Sequence, residues 1–242
     1  MLSYNDLKKK VKHMPEGLPT VKVALVGDTA TQFLATAIRG TGIERGYHID
    51  LFEAEYNQVE RQFLDPTSEL YQFDADIIVV FQSTHKFGEH HSLLPVEQQQ
   101  TLADDRLSFV ASICENPALT NKKIIYLNYP EIEDTVFGSY ENKVTASLTY
   151  QVRRLNYELM NLSQQYPNLF ICDIAGLQNK LGRDFMFAPN VYVSTEMILS
   201  VDALPYVAGR VMDIIGAIKG QFKKCLIQAK IGRAVQQECR DR

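Results

Sequence analysis

The stretch VKVALVGDTATQFLATAIRGTG, residues 21–42, joins a short apolar run to an amphipathic pattern, and Gly27 separates the two. The run Val21–Val26 is rich in β-branched residues, which predicts a buried strand. The following pattern predicts a helix that begins near residue 29, and its buried face is predicted to carry Phe33, Leu34, Ala37 and Ile38. A strand that passes directly into a helix predicts an α/β fold.

The turn between these two elements carries a carboxylate and two hydroxyls, on Asp28, Thr29 and Thr31. It lies at the carboxyl edge of the predicted sheet, where α/β proteins build their sites. Such groups at the start of a helix can cap its amides, bind an oxyanion or supply a nucleophile. The sequence leaves these three roles open.

The composition narrows the class of protein. The chain has 242 residues, 45% of them hydrophobic, and a net charge of −4. The basic residues are scattered, which argues against nucleic acid as a partner. No run approaches the ~18 apolar residues of a membrane span, and the amino terminus lacks an apolar signal core, so we expect a cytoplasmic protein that does not bind membranes.

The four cysteines, at positions 114, 172, 225 and 239, have no Cys-x-x-Cys spacing. They lie mostly in apolar runs, which favours buried free thiols over disulfides or a zinc site. We expect no metal site in this chain.

Further strands and helices alternate along the chain. Strands are predicted at residues 48–56, 77–81, 122–130 and 168–174, and helices at 4–13, 57–65, 95–116, 140–165, 175–182 and 203–219. This alternation predicts a three-layer α/β/α domain with a doubly wound, mostly parallel five-stranded sheet, flavodoxin-like in strand order 2-1-3-4-5. One domain is expected over residues 20–221, preceded by a helix and lead-in at 1–19.

Two sets of motifs resemble known families. Gly-Asp-Thr after the first strand, polar residues after the third and fourth, and a closing helix resemble the SGNH hydrolases. The segment EAEYNQVERQFLDPTSELYQFDADIIVVFQST, residues 53–84, is similar to the amino-terminal domain of FkbH-like proteins of the HAD superfamily. In that family the domain precedes a HAD-type phosphatase-like domain, and the resemblance implies loading of a glyceryl unit from a phosphorylated glycerate onto an acyl carrier protein.

The end of the chain bears on this resemblance. Residues 222–227, FKKCLI, resemble the first strand of a HAD domain, but no Asp-x-Asp motif follows Ile227. We therefore expect no cofactor in this chain, and Mg²⁺ only in a HAD domain that is missing from it. Residues 228–242 are predicted to be a non-native or disordered tail.

The catalytic residues of SGNH enzymes are only partly present in this chain. Thr29 stands where these enzymes have serine, and the expected carboxy-terminal histidine is absent, because the last histidine is His91. A hydroxyl nucleophile needs a base, and loss of one triad member costs orders of magnitude in rate. His85 is the candidate substitute, although residues 85–91 also fit a solvent-exposed loop. Asn128 resembles the oxyanion-hole asparagine, and capping of its own loop is the other interpretation.

The remaining site candidates line the same edge and are expected to bind substrate: Gly27, Asp28, Thr31, Tyr56, Asn57, Gln82, Ser83, Thr84 and Tyr129. The resulting hypothesis is an accessory domain that binds an acyl carrier protein or a small acyl or phosphorylated substrate, with little or no hydrolysis of its own. The alternative is an active ester hydrolase or acyltransferase that uses Thr29. Asp173, after the fifth strand, is predicted to cap the following helix.

Overall fold

A five-stranded, all-parallel sheet forms the centre of the protein in a computed structural model that describes residues 1–133 and 136–221. The strands are β1 Thr20–Gly27, β2 His48–Glu53, β3 Ile77–Phe81, β4 Lys123–Leu127 and β5 Leu169–Cys172. Their order is β2-β1-β3-β4-β5, as predicted. Because β1 and β3 are neighbours, the loops that follow them lie side by side.

Alternate side chains of each central strand enter opposite halves of the core. In β1, Val23 and Leu25 pack into one half, and Ala24 and Val26 pack into the other. Successive side chains of a strand point to opposite faces, so a strand that is apolar on both faces needs helices on both sides. The continuous apolar runs in the sequence therefore correspond to a doubly covered sheet.

The helices connect the strands and form the two outer layers. They are α1 Tyr4–Lys12, α2 Gln32–Glu44, α3 Val59–Leu64, α4 Glu69–Phe73, α5 Thr84–Leu93, α6 Val96–Gln99, α7 Leu102–Glu115, α8 Leu148–Gln165, α9 Ile174–Leu181, α10 Arg183–Met186, α11 Pro189–Thr195 and α12 Leu204–Ile218. Helices α1, α2, α9 and α12 contribute to one core half, and α3, α5, α7 and α8 to the other. Short 3₁₀ segments occupy Pro117–Leu119 and Gly138–Lys143.

Three predicted helix boundaries were wrong. The helix after β1 begins at Gln32 rather than near 29, and the Thr31 hydroxyl at its N-cap donates to Glu53 Oε1 at 2.6 Å instead of capping the helix. The helix predicted over 95–116 is divided into α6 and α7, and the one over 140–165 begins only at Leu148. Phe33, expected on the buried face of α2, is partly exposed and stacks on Tyr4.

The predicted loop at residues 85–91 is instead helix α5, because Ser83 caps it by accepting a hydrogen bond from Lys86 N. His91 is buried in this helix, and its Nε2 lies 2.7 Å from the carbonyl oxygen of Ala146. The short helices α4, α10 and α11 were not predicted.

The sequence predicts that the four cysteines are buried free thiols. Cys114 and Cys172 are buried free thiols, as predicted. Cys225, Cys239, the HAD-like segment 222–227 and the tail 228–242 lie outside the described residues. Within the described ranges, no helix combines the length and apolar character that crossing a membrane requires.

Candidate functional site

The loops after β1 and β3 meet at the carboxyl edge of the sheet. The last residue of β1, Gly27, pairs with Phe81 in β3, and Asp28 N donates to the Phe81 carbonyl at 3.1 Å. The Asp28 carboxylate in turn accepts from Ser83 N, at 2.9 Å from each oxygen. A side chain at Gly27 would clash with Thr31, because an added Cβ would lie 2.7 Å from its Cγ2. This turn therefore favours glycine, and its hydrogen bonds tie the two loops together.

Asp28 is an unusual carboxyl group because it is only 8% exposed. Burial raises its pKa to about 7, although the Ser83 amide, Arg106 and Lys86 oppose the shift. Desolvation disfavours the charged form of any carboxyl group, and perturbed groups of this kind concentrate at functional sites. Near neutral pH, Asp28 is consequently present in both protonation states.

Thr29 is completely buried, with 0% of its surface exposed. Its Oγ1 has no hydrogen-bond partner among the described residues. The next residue, Ala30, donates its backbone N–H to the Glu196 carbonyl at 3.0 Å, which joins this loop to the end of α11. A substrate has no access to the Thr29 hydroxyl in this conformation.

His85 lies in the first turn of α5, and its ring packs between aromatic side chains. Its ring centroid is 5.0 Å from that of Phe187 and 5.4 Å from that of Tyr192. Burial lowers the pKa of His85, and the buried Nδ1 lacks a partner among the described residues. No hydrogen bond joins His85 to Thr29, so the structure does not contain the base–nucleophile pair that was considered from the sequence.

The loop after β2 reaches the same edge through its backbone. Asn57 N donates to the Gly27 carbonyl at 3.2 Å, and Asn57 adopts a left-handed conformation with φ of 60°. The Tyr56 side chain is largely exposed. Thr31 is buried and bound to Glu53, as described above. Asn57 therefore lies beside the Gly27 turn, whereas the Tyr56 side chain faces solvent.

Ser83 and Thr84 are buried and bound within the protein. The Ser83 hydroxyl caps α5, and the Thr84 hydroxyl donates to the Pro130 carbonyl at 2.6 Å. The Thr84 bond joins the start of α5 to the loop after β4, and the bond from Ser83 N to the Asp28 carboxylate joins it to the loop after β1. Both hydroxyls therefore form hydrogen bonds within the protein.

The Asn128 side chain connects the end of β4 to the start of α9. Its Oδ1 accepts from Ile174 N at 2.8 Å and from Ala175 N at 2.9 Å, and its Nδ2 donates to Asp173 Oδ1 at 2.8 Å. Asp173 caps α9 by accepting from Gly176 N, as predicted. Asn128 thus binds the first amides of α9 rather than capping its own loop, and its Nδ2 donates to a carboxylate.

Tyr129 is buried below the edge with Tyr126 and Gln82. The Tyr126 hydroxyl donates to Gln82 Oε1 at 2.8 Å and lies within hydrogen-bond distance of the Tyr129 hydroxyl. Burial raises the pKa of Tyr129 to about 12, so both phenols remain neutral at physiological pH. This chain of contacts fixes the orientation of the Gln82 amide.

A polar pocket of about 230 Å³ opens beside Asp28, and we call it the Arg106 pocket. Its polar lining includes Asp28, Asn57, Glu60, Gln82, Lys86 and Arg106. Lys86 lies between the carboxylates of Glu89 and Glu196, 3.2 Å from each. These carboxylates raise the pKa of Lys86 above its usual value despite partial burial, so its charge is retained and balanced locally.

The described residues contain no group of three or more His, Cys, Asp or Glu side chains arranged to hold a metal ion. The Mg²⁺ implied by the sequence resemblance requires the carboxylates of a HAD domain. The described residues do not supply such a cluster, so no step of the chemistry is assigned to Mg²⁺ here.

The family model of the FkbH N-terminal domain matches residues 22–216. The chain belongs to the FkbH N-terminal domain family. No curated protein sequence matches the chain.

Solved structures resemble this FkbH N-terminal domain at two levels of similarity. One is the N-terminal part of the protein BF1531 from Bacteroides fragilis, described as containing a phosphatase domain complexed with Mg. It has 58% sequence identity and a TM-score of 0.89, and the match covers 93% of this chain and 59% of that one. The present chain thus spans little more than half of that relative.

The lipase Lip_vut3 from a goat rumen metagenome has 13% identity and a TM-score of 0.54, with 80% of this chain and 96% of that one covered. TesA has 12% identity and a TM-score of 0.50, with coverages of 81% and 99%. At these identities the likeness concerns the fold alone, and it confirms the predicted SGNH hydrolase-like α/β fold.

The sequence interpretation missed Arg106 and Lys86 in the FkbH N-terminal domain. Lys86 lies within residues 85–91, for which the sequence also fits a solvent-exposed loop. In α7, Arg106 lies three residues after Ala103 and four before Val110, both of which are buried. A charged residue at a core-facing helical position was the signal that would have found it.

Proposed function

We propose that this FkbH N-terminal domain holds a small acyl or phosphorylated substrate for a HAD-type phosphatase or glyceryl-transfer domain and does not hydrolyse esters itself. Membership of the family supports the pairing with such a domain, as does the phosphatase domain in the Bacteroides fragilis relative. The sequence resemblance also supports an acyl carrier protein as the partner, which titration of a holo carrier protein against the chain by NMR would test.

The observation that carries the proposal is the state of Thr29. Its hydroxyl is fully buried, and His85 forms no hydrogen bond with it. An SGNH hydrolase needs an accessible hydroxyl with a base that removes its proton. Thr29 has neither, while the neighbouring Arg106 pocket is open. This arrangement favours binding over covalent catalysis.

The second candidate is an ester hydrolase or acyltransferase that uses Thr29. One observation favours it: both Thr29 Oγ1 and His85 Nδ1 are buried and have no partner within residues 1–133 and 136–221. Such groups are rare in folded proteins. A movement of the α11 segment that exposed Thr29 would leave both groups available for a nucleophile–base pair.

Turnover of p-nitrophenyl acetate separates the two candidates. We expect no turnover above the rate with an inactive protein of the same concentration, and the same result for Thr29→Val. Valine has nearly the shape of threonine, with a methyl group in place of the hydroxyl, so the variant tests the hydroxyl with little change in packing. Turnover that falls at least tenfold in Thr29→Val would establish the hydrolase instead.

A further inference from the structure

Arg106 carries a positive charge that no described side chain neutralises directly. It extends from α7 into the pocket, is half-buried, and forms no hydrogen bond or ion pair with any other described residue. In contrast, Arg153 and Arg154 on α8 each bind a carboxylate, on Glu131 and Asp104 respectively. A guanidinium group presents a planar fork of donors that matches the oxygens of a carboxylate or a phosphate.

Gln82 supplies a second unused donor in the same pocket. Its side chain is only 2% exposed. Because Oε1 accepts from the Tyr126 hydroxyl, Nε2 is the remaining polar atom of Gln82, and it has no partner among the described residues. The Nε2 atom keeps solvent-accessible surface, and Gln82 lines the pocket. It can therefore donate to a ligand that also binds the Arg106 guanidinium.

The size of the pocket limits the ligand. A volume of about 230 Å³ corresponds to roughly eight water molecules at ~30 Å³ each, which is room for a small metabolite. Glu60 and Asn57 also line the pocket and offer acceptors for hydroxyl groups of such a molecule. The pocket is mostly polar and therefore unsuited to an acyl chain.

We infer that the Arg106 pocket binds the oxyanion end of a small acid, a carboxylate or a phosphate monoester, through the Arg106 guanidinium and the Gln82 amide. This inference rests on the proposed function and specifies its ligand by chemical class. It also locates the ligand on the α7 side of the sheet edge, beside the buried threonine rather than on it.

Asp28 makes this binding sensitive to pH. The charged and titratable groups that face it are Glu60 on α3, Lys86 and His90 on α5, Arg106 on α7, and Tyr126 and Tyr129 at the end of β4. Ionised Asp28 competes with the ligand for Arg106 and repels its negative charge. The pKa of Asp28 is about 7, so affinity should fall as the pH rises through neutrality.

The test is an NMR titration of the ¹⁵N-labelled chain with inorganic sulfate, inorganic phosphate and lactate. We expect saturable shifts around Gln82 and Arg106, and at least tenfold weaker binding to Arg106→Met. Arg210→Met is the matched control, since Arg210 is exposed on α12 in the opposite layer, and it should bind as the wild type does. If Arg106→Met does not fold, Arg106→Lys replaces it, and the loss of the fork should weaken binding severalfold.

Phosphate binding more tightly than lactate would assign a phosphorylated ligand, and the reverse would assign a carboxylate. Sulfate does not titrate near neutrality, so any pH dependence of its binding comes from the protein, and comparison with Asp28→Asn gives the part that Asp28 contributes. Wild-type affinity for sulfate should fall about tenfold from pH 6 to pH 8.5, and the fall should be clearly smaller in Asp28→Asn.

Absence of saturable binding by all three anions, or equal binding by wild type and Arg106→Met, would overturn the inference. p-Nitrophenyl acetate turnover on the same samples separates this failure from that of the proposed function. No turnover and no anion binding would refute only the ligand class. Turnover that depends on Thr29 would refute the proposed function.

Discussion

Replacing Asp28 with asparagine is expected to make the protein more stable than wild type above pH 7 and to change its stability little near pH 4. The folded-state pKa of Asp28 is about 7, raised from 3.8 by burial. The folded protein therefore holds a proton that the unfolded chain releases, so wild-type stability falls as the pH rises from about 4 to 7. A shift of about three pKa units corresponds to a limit of about 4 kcal/mol. Asparagine has no such titration and can still accept from Ser83 N.

Urea unfolding at pH 4, 6 and 8.5 measures this effect through the free energy of unfolding. The control is Asp202→Asn, because Asp202 is exposed and forms no hydrogen bond through its side chain among the described residues. Its difference from wild type should stay within about 0.5 kcal/mol at each pH. If Asp28→Asn tracked the wild type across this pH range, Asp28 would have an ordinary pKa.

Replacing Asn128 with alanine is expected to lower the free energy of unfolding by about 2–4 kcal/mol. The change removes the acceptor of the Ile174 and Ala175 amides and the donor to Asp173. A buried amide without a partner costs its full desolvation penalty, and here the first turn of α9 loses two such bonds. The loss should be seen in chemical denaturation at neutral pH.

Asn179→Ala is the matched control for this variant. Asn179 lies in the same helix, is exposed, and forms no side-chain hydrogen bond among the described residues. Its replacement should change stability by less than about 0.5 kcal/mol. Equal stability of Asn128→Ala and Asn179→Ala would mean that Asn128 does not fasten α9 and is available for another role.

The strands were predictable because their signal is local, and their order followed from the doubly wound fold class. Each central strand is a short apolar run, and runs that are apolar on both faces lead directly to a covered parallel sheet. Pro205 at the first turn of α12 and Asp173 at the cap of α9 also act within a few residues, and both elements were predicted correctly.

The division between α6 and α7 depends on a distant residue. Gln151, in α8, donates to the Gln100 carbonyl and accepts from Ala103 N, so its side chain satisfies backbone groups at the break. It is fully buried. Nothing within residues 95–116 indicates that a glutamine some fifty positions later interrupts the helix.

The candidate site was predictable only in part for the same reason. Gly27 ends β1, Asp28 follows it, and Gln82 follows β3, so the topology places these three residues at one edge of the sheet. The burial of Thr29 depends on its tertiary surroundings, since the loop contacts the carbonyl of Glu196. Asn128 binds the first backbone amides of α9, which lie far from it in the sequence. Arg106 comes from the middle of a helix, outside the loops where sites are usually sought.

The most direct test of the central claim, that Thr29 is a buried residue beside a binding pocket and not a nucleophile, is labelling with a fluorophosphonate. An activated hydroxyl attacks phosphorus, forms a P–O bond and expels fluoride, and its proton passes to the base. The measurement is peptide mass spectrometry of the labelled protein, with an active serine hydrolase in the same tube as the positive control. The account predicts an unmodified Thr29 peptide after the control is fully labelled. An adduct on Thr29 that is absent from Thr29→Val would contradict it.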